Sequence, residues 1–108
     1  MEKQRTIKRS VSFSGKGIHT GIFSNITLKP ATEHKGIVFV RTDKDNFKIP
    51  ADIAYIVSTE RSTNLGIKGV EVKTIEHLLA AITANNIDNL IIEIDNVEVP
   101  ILDGSAKE

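Results

Sequence analysis

One stretch, "KTIEHLLAAITANN" at residues 73–86, constrains the fold most because it carries the only clear helical pattern. Its apolar residues follow the i, i+3, i+4, i+7 spacing of one helix face, and they are Ile75, Leu78, Leu79 and Ile82. Thr74 is predicted to be the N-cap, because its hydroxyl can accept a bond from a free N–H of the first turn. Asn85 and Asn86 are typical of a helix C-terminus.

Apolar residues elsewhere mostly alternate with polar ones, which predicts strands. The predicted strands lie at 6–13, 22–29, 36–42, one or two places within 47–57, 70–72 and 89–95. The glycine-rich residues 15–21 are predicted to turn, most of 58–69 to be loop or hairpin, and 97–104 to be extended before a turn. One helix among several strands predicts an α+β two-layer sandwich with a mostly antiparallel or mixed sheet.

Length, charge and cysteine content narrow the functional classes. The 108 residues fit one domain. Lys+Arg and Asp+Glu number 14 each, so no net charge favours nucleic acid or an anionic membrane. The absence of cysteine excludes disulfides and thiolate metal sites. There is no signal-peptide pattern and no apolar run near the ~20 residues that span a bilayer. A cytoplasmic protein is expected, with peripheral contact to lipid left open.

Glu76 and His77 lie side by side at the predicted helix start, off the apolar face. Because a helix turns by ~100° per residue, His77 falls nearly opposite that face, beside Ala81 and Ala84. The positive end of the helix dipole favours a carboxylate and disfavours an imidazolium. A neutral imidazole binds metals, and a neighbouring carboxylate can take a proton from water. This pair is therefore a candidate for half of a catalytic centre.

The alternative is an ordinary solvated helix start, because glutamate is common there for the same dipole reason. A catalytic zinc needs about three protein ligands. The sequence contains no HExxH, HxxxH or HxxxD, and the other histidines, His19 and His34, are distant along the chain. From spacing alone the metal site is incomplete.

Several segments match a known family in the family's own order and cover nearly the whole chain. They are "QRTIKRSVSFSGKGIHTG", "GIVFVRTD", "IPA", "STERSTNLG", "VKTIEHLLAAI" and "IDNLIIEIDNVEVPILDGSA". Together they resemble the zinc-dependent UDP-3-O-acyl-N-acetylglucosamine deacetylases of lipid A biosynthesis. The most specific are "GIHTG", "TIEHLLAA" and "EVPILDGSA" in combination. Members of this family have two similar α/β domains packed face to face, with the active site between them.

The resemblance implies that residues 1–108 are the N-terminal domain of a two-domain deacetylase and that the second domain is absent. The closing "DGSAKE" is interpreted as the start of a truncated second helix.

The resemblance also implies roles for individual residues. Through "TIEH", His77 becomes one of three zinc ligands, and Glu76 becomes the general base that activates water for attack on the acetamide carbonyl. The other two ligands are expected from an HxxxD motif in the second domain. His19 of "GIHTG" is expected to contact the polar substrate, and Ser62 and Thr63 to line the site. For these three the alternative is an ordinary loop or turn residue.

The expected function is zinc-dependent hydrolysis of the N-acetyl group of a UDP-linked, 3-O-acylated glucosamine, with the isolated chain inactive. Two alternatives remain open. One is a non-catalytic domain that binds a nucleotide-sugar or a protein partner. The other is a structural module in which "TIEH" only begins a helix.

Overall fold

The computed structural model describes residues 4–58 and 62–100. In chain order the elements are β1 (Val11–Lys16), β2 (Phe23–Pro30), β3 (Ile37–Arg41), β4 (Phe47–Pro50), β5 (Ile56–Ser58), β6 (Thr63–Ile67), β7 (Val70–Val72), α1 (Glu76–Ala84) and β8 (Leu90–Ile94). Short 3₁₀ turns lie at Thr42–Lys44 and Ile53–Tyr55.

The strands form two sheets. The main sheet has the order β1-β2-β8-β3-β4, and the small sheet has the order β5-β6-β7. Strands β3 and β8 pair in parallel, whereas the other paired strands are antiparallel. Parallel neighbours need a long crossover, and here the crossover contains the small sheet and α1. The predicted α+β sandwich with a mixed sheet is confirmed.

The helix packs its apolar face on the main sheet. Along β8, residues Leu90, Ile92 and Ile94 are fully buried, whereas the alternate residues are half-buried. Leu78 and Ile82 of α1 join the same core cluster. The apolar faces of the strands and of the helix, which the two sequence periodicities predict, therefore pack together in one hydrophobic layer.

Two strand predictions differ from the structure. Strand β1 begins at Val11 and runs to Lys16, rather than spanning 6–13, because it pairs along its whole length with β2. Segment 58–69, predicted to be mostly loop or hairpin, contains β6, which forms a hairpin with β7 and also pairs with β5. Its polar residues and glycine hide this strand from a pattern search, although Leu65 at its centre is fully buried.

Thr74 is not the helix N-cap, which corrects the prediction. Ile75 occupies the N-cap position without a side-chain bond, and Thr74 has a left-handed φ of 62°. The threonine hydroxyl is used elsewhere, as a donor to Glu98. At the other end the prediction is confirmed, because Asn85 is the C-cap and Asn86 has a φ of 57°.

The end of the predicted extended segment 97–104 and the predicted helix start in "DGSAKE" lie outside the described residues. Within the described ranges, no helix has the length and apolar character needed to cross a membrane.

A buried arginine joins the two sheets. Arg41, at the end of β3, is only 4% exposed. Its guanidinium donates to both carboxylate oxygens of Asp43, at 2.8 and 2.7 Å, and to the Glu71 carbonyl of β7 at 2.6 Å. The hydrogen bond from Arg41 lowers the pKa of Asp43 below its ordinary value. The small sheet, which carries Thr63, is thereby fixed to the main one.

Arg41→Lys is expected to lower the free energy of unfolding by about 1–3 kcal/mol, because lysine cannot make the forked bond to Asp43 and also reach Glu71. Urea unfolding of the chain measures the change. The matched control is Lys29→Met, which removes a partly exposed ion pair with Glu93 and should cost under about 1 kcal/mol. Equal losses in the two variants would contradict the assigned role of Arg41.

Candidate functional site

Glu98 has a fully buried carboxylate that contacts two distant segments. It accepts the hydroxyl of Thr74 at 2.7 Å and the backbone N–H groups of Thr20 and His19 at 2.8 and 3.2 Å. A buried carboxylate is stable only when it is hydrogen-bonded in this way. Glu98 therefore connects the loop at residues 17–21 to the residue that leads into α1.

The hydrogen bonds also set the charge of Glu98. Burial acts to raise the pKa of this carboxyl. The bonds donated by the Thr74 hydroxyl and by the N–H groups of Thr20 and His19 outweigh burial and hold the pKa below its ordinary value of 4.5. The site therefore contains an ionised carboxylate at neutral pH.

Backbone pairing brings Glu98 to the start of the helix. Glu98 forms an isolated parallel bridge with Lys73. The Lys73 N–H donates to the Val97 carbonyl at 2.7 Å, and the Val99 N–H donates to the Lys73 carbonyl at 3.0 Å. The next residue along the chain, Thr74, is thus placed against the Glu98 carboxylate.

Two glycines make room for the segment that carries Glu98. A Cβ at Gly17 would overlap the Glu98 carboxylate, and a Cβ at Gly15 would lie 3.2 Å from the Pro100 ring. Residues two apart in an extended chain face the same side. The G-x-G spacing at the end of β1 is therefore a packing requirement as well as a turn signal.

Thr74 has a strained backbone that two side chains stabilise. A β-branched residue with positive φ costs about 1–3 kcal/mol and persists only where its surroundings enforce it. The Thr74 N–H donates to Oδ1 of Asn64 at 3.0 Å, while its hydroxyl donates to Glu98. The following N–H, of Ile75, donates to the Thr63 carbonyl at 3.0 Å. The direction in which α1 begins is therefore fixed from both sides.

Glu76 and His77 lie in the first turn of α1, and neither is beneath the sheet. Glu76 is half-buried, and its Oε1 accepts the Thr63 N–H at 3.2 Å. His77 is exposed on a smooth helix face whose other exposed residues are Ala80, Ala81 and Ala84. A second body could approach this face closely. The arrangement presents an oriented carboxylate beside an accessible imidazole.

The other predicted site residues lie on segments joined to the start of α1 by hydrogen bonds. Ser62 and Thr63 are half-buried beside α1, and the Ser62 hydroxyl donates to Asn64 at 3.0 Å. His19 is exposed, and its backbone is tied to Glu98. One hydrogen-bond network thus connects residues from three segments distant in sequence. Their roles as base, zinc ligand and substrate contacts stay predictions.

The histidines and carboxylates of the described residues fit a metal only in part. Among residues 4–58 and 62–100, no group of three or more histidines or carboxylates is arranged to hold an ion. The exposed imidazole of His77 fits as one ligand of a zinc site, which needs about three. Any such site must therefore take further ligands from elsewhere.

An open cavity of about 660 Å³ lies along α1, and Ala81 belongs both to its lining and to the exposed alanine face. Of the described residues, it is lined by the N-terminal segment 5–9, by parts of β1 and β2, and by Leu78, Ala81 and Ile82 of the helix. Neither Glu76 nor His77 lines it. The candidate site is therefore distinct from this mainly apolar groove.

Sequence reasoning missed Glu98 and Asn64. Two sequence features could have indicated a buried role for Glu98. It lies between Val97 and Val99 in an apolar extended segment, and the two glycines of "GKG" leave room for a side chain from another segment. Asn64 had no such signal, because an asparagine among polar residues is typical of a turn.

Comparison with known proteins gives one consistent result. The family model described as "LpxC: UDP-3-O-acyl N-acetylglycosamine deacetylase" matches residues 4–108. A protein of Nautilia profundicola is 53% identical over 104 residues, which cover 96% of this chain and 35% of that protein. One of Thermodesulfovibrio yellowstonii is 47% identical over 106 residues, covering 98% of this chain and 36% of the relative. Both are named UDP-3-O-acyl-N-acetylglucosamine deacetylase.

A relative from Myxococcus xanthus carries the same name and is 50% identical over 104 residues, covering 95% of this chain and 33% of that protein. The chain therefore spans about a third of the length of the curated relatives it matches.

Acidification is expected to destabilise the chain partly through Glu98. Because its folded pKa lies below its unfolded value, its stabilisation is fully present above about pH 4.5 and is lost as the pH falls through the folded pKa. Glu98→Gln cannot ionise there, so it should be less stable at neutral pH and lose less stability on acidification. Urea unfolding across this pH window measures both effects.

The exposed Glu33→Gln serves as the control for that series. Asp43 remains in each variant and contributes its own acid-dependent loss, since its pKa is also lowered. A Glu98→Gln protein whose stability falls with acid as steeply as the wild type would contradict the ionised, bonded carboxylate.

Proposed function

Because this chain belongs to the family of UDP-3-O-acyl N-acetylglycosamine deacetylases, we propose that it is part of an enzyme that hydrolyses the N-acetyl group of a UDP-linked, 3-O-acylated glucosamine. The observation that carries this proposal is the first turn of α1, where Glu76 is oriented by the Thr63 N–H and His77 is exposed beside it. This pair is suited to hydrolysis, and the names of the relatives supply the substrate.

We also propose that the chain forms the N-terminal domain of a two-domain protein and that the second domain completes the site. The chain spans only about a third of the length of its relatives, and this supports a two-domain protein. The exposed alanine face next to His77 supports it as well, because small side chains allow another domain to pack closely.

Glu76 acts in this proposal as the general base. One carboxylate oxygen is held by the Thr63 N–H, which limits how the side chain can rotate. The carboxylate takes a proton from water as the water oxygen bonds to the acetamide carbonyl carbon. The C–N bond then breaks as the leaving nitrogen receives a proton equivalent to the one that Glu76 took from water, which returns the carboxylate to its ionised form. The products are acetate and the free amine of the UDP-sugar.

His77 is the zinc ligand that this chain contributes in the proposal. Its place in the first turn of α1 leaves the imidazole exposed, so a metal shared with another domain can reach it. Zinc, when bound, would polarise the carbonyl and make water more acidic. The remaining ligands come from outside the described residues.

Ser62, Thr63 and His19 are the proposed substrate contacts. Ser62 and Thr63 lie on the β6 side of Glu76, where polar groups can orient the sugar. His19 belongs to the loop that Glu98 holds, and its exposed ring is available to a polar ligand.

In the full-length protein, Glu76→Gln is expected to lower kcat by about 10²–10⁴-fold, because an amide cannot accept the proton. KM should change little. Release of acetate from the UDP-sugar substrate measures the rate, and exposed Glu33→Gln is the control. Deacetylation that continues unchanged in Glu76→Gln would leave a binding or purely structural role for this chain.

Zinc affinity should differ sharply between this chain and the full-length protein. Titration of the 108-residue chain is expected to show only weak binding, because one imidazole supplies one of about three ligands. His77→Ala in the full-length protein should reduce its zinc content, measured by elemental analysis. Tight, stoichiometric zinc binding by the isolated chain would contradict the shared site.

A further inference from the structure

The carboxylate of Glu98 accepts hydrogen bonds from both the loop and the helix start. Oε1 accepts the Thr20 N–H, while Oε2 accepts both the His19 N–H and the Thr74 hydroxyl. The loop is also closed on itself, because the Gly21 N–H donates to the Gly17 carbonyl at 2.9 Å. A single carboxylate thus sets the position of a preformed loop relative to α1.

Stability of the fold alone does not explain this arrangement. Replacing a buried charged group by an apolar residue of similar volume is often neutral or stabilising. A glycine at position 74 would avoid the positive-φ strain, and a Cβ at position 17 would be tolerated if Glu98 were smaller. Three features that stability alone does not favour therefore coincide around one carboxylate, and backbone strain such as that of Thr74 concentrates at functional sites.

We propose that Glu98 is a positioning residue, which fixes the His19 loop relative to the first turn of α1 without touching the substrate. Its kinetic consequence rests on the proposed deacetylase function. One branch runs from Glu98 through the Thr74 hydroxyl to Glu76, two residues further along the chain. The other branch runs through the loop amides to His19.

The two branches predict different kinetic effects in the full-length protein. Thr74→Val keeps the shape but removes the donor, so only the helix branch is lost. We expect kcat to fall about 10–100-fold with KM nearly unchanged, because small misplacements of a catalytic group have effects of this size. Thr74→Ser keeps the donor and should restore most of the rate. Glu98→Gln weakens both branches and should also raise KM.

Backbone amide exchange tests the same inference without any activity. In the full-length protein, the N–H groups of Thr20 and His19 should exchange faster with solvent in Glu98→Gln than in the wild type. In Thr74→Val they should exchange at the wild-type rate, because the bonds from Glu98 to the loop remain. Gly17→Ala offers a second route, because its Cβ displaces the carboxylate while Glu98 keeps its charge. It should accelerate exchange at both amides and lower kcat.

The control is Glu93→Gln, which alters a partly exposed ion pair on β8 and should leave the kinetics and the two amides unchanged. Rates are expressed per folded molecule, so a variant that only unfolds more easily shows a lower melting temperature with normal kcat and KM. That result in both Thr74→Val and Glu98→Gln would overturn the inference, as would unchanged exchange at Thr20 and His19 in Glu98→Gln.

Failure of the proposed function gives a different pattern. If the wild-type full-length protein does not release acetate, the deacetylase proposal fails, and amide exchange still decides the positioning role. Faster exchange at Thr20 and His19 in Glu98→Gln would then support it, and unchanged exchange would reject it.

Discussion

The site described here depends on one buried, ionised carboxylate. Glu98 is stable inside the fold because hydroxyl and amide donors surround it, and those donors come from the loop before β2 and from Thr74, two residues before α1. Without these bonds, the desolvation cost would favour protonation or exclusion of the side chain from the core. The same contacts that stabilise the charge hold two chain segments in a fixed relation.

The rest of the site follows from that relation. Asn64 and Thr63, on β6, complete the hydrogen bonds of the helix start, so the small sheet acts as a rigid support for Glu76. Arg41 in turn fixes the small sheet to the main one. The helix meanwhile buries its apolar face and leaves His77 exposed. Apolar packing thus holds one face of the nine-residue helix, while polar bonds hold its N-terminal end.

Sequence patterns predicted the elements that local periodicity controls. The helix, its exposed His77 and the alternating strand β8 were recoverable because their apolar spacing is regular. The Thr74 cap was predicted wrongly, since a hydroxyl at a helix start normally bonds locally. Its actual partner, Glu98, lies 24 residues away. The role of Glu98 depends on such long-range bonds, which local periodicity does not encode. Strand β6 pairs with its neighbours β5 and β7, but its polar residues and glycine obscure the strand pattern. Residues 1–3, 59–61 and 101–108 lie outside the described part of the chain, so predictions there stay predictions.

The most direct measurement is an NMR titration of the Glu98 side-chain carboxyl carbon in the full-length protein, followed together with the Thr20 and His19 amide protons. The account predicts a pKa below the ordinary 4.5, with both amide signals moving at the same midpoint as the carboxyl. A pKa at or above 4.5 would contradict a charged Glu98 that holds the loop and the helix together. Amide proton shifts that do not change at the carboxyl midpoint would contradict it as well.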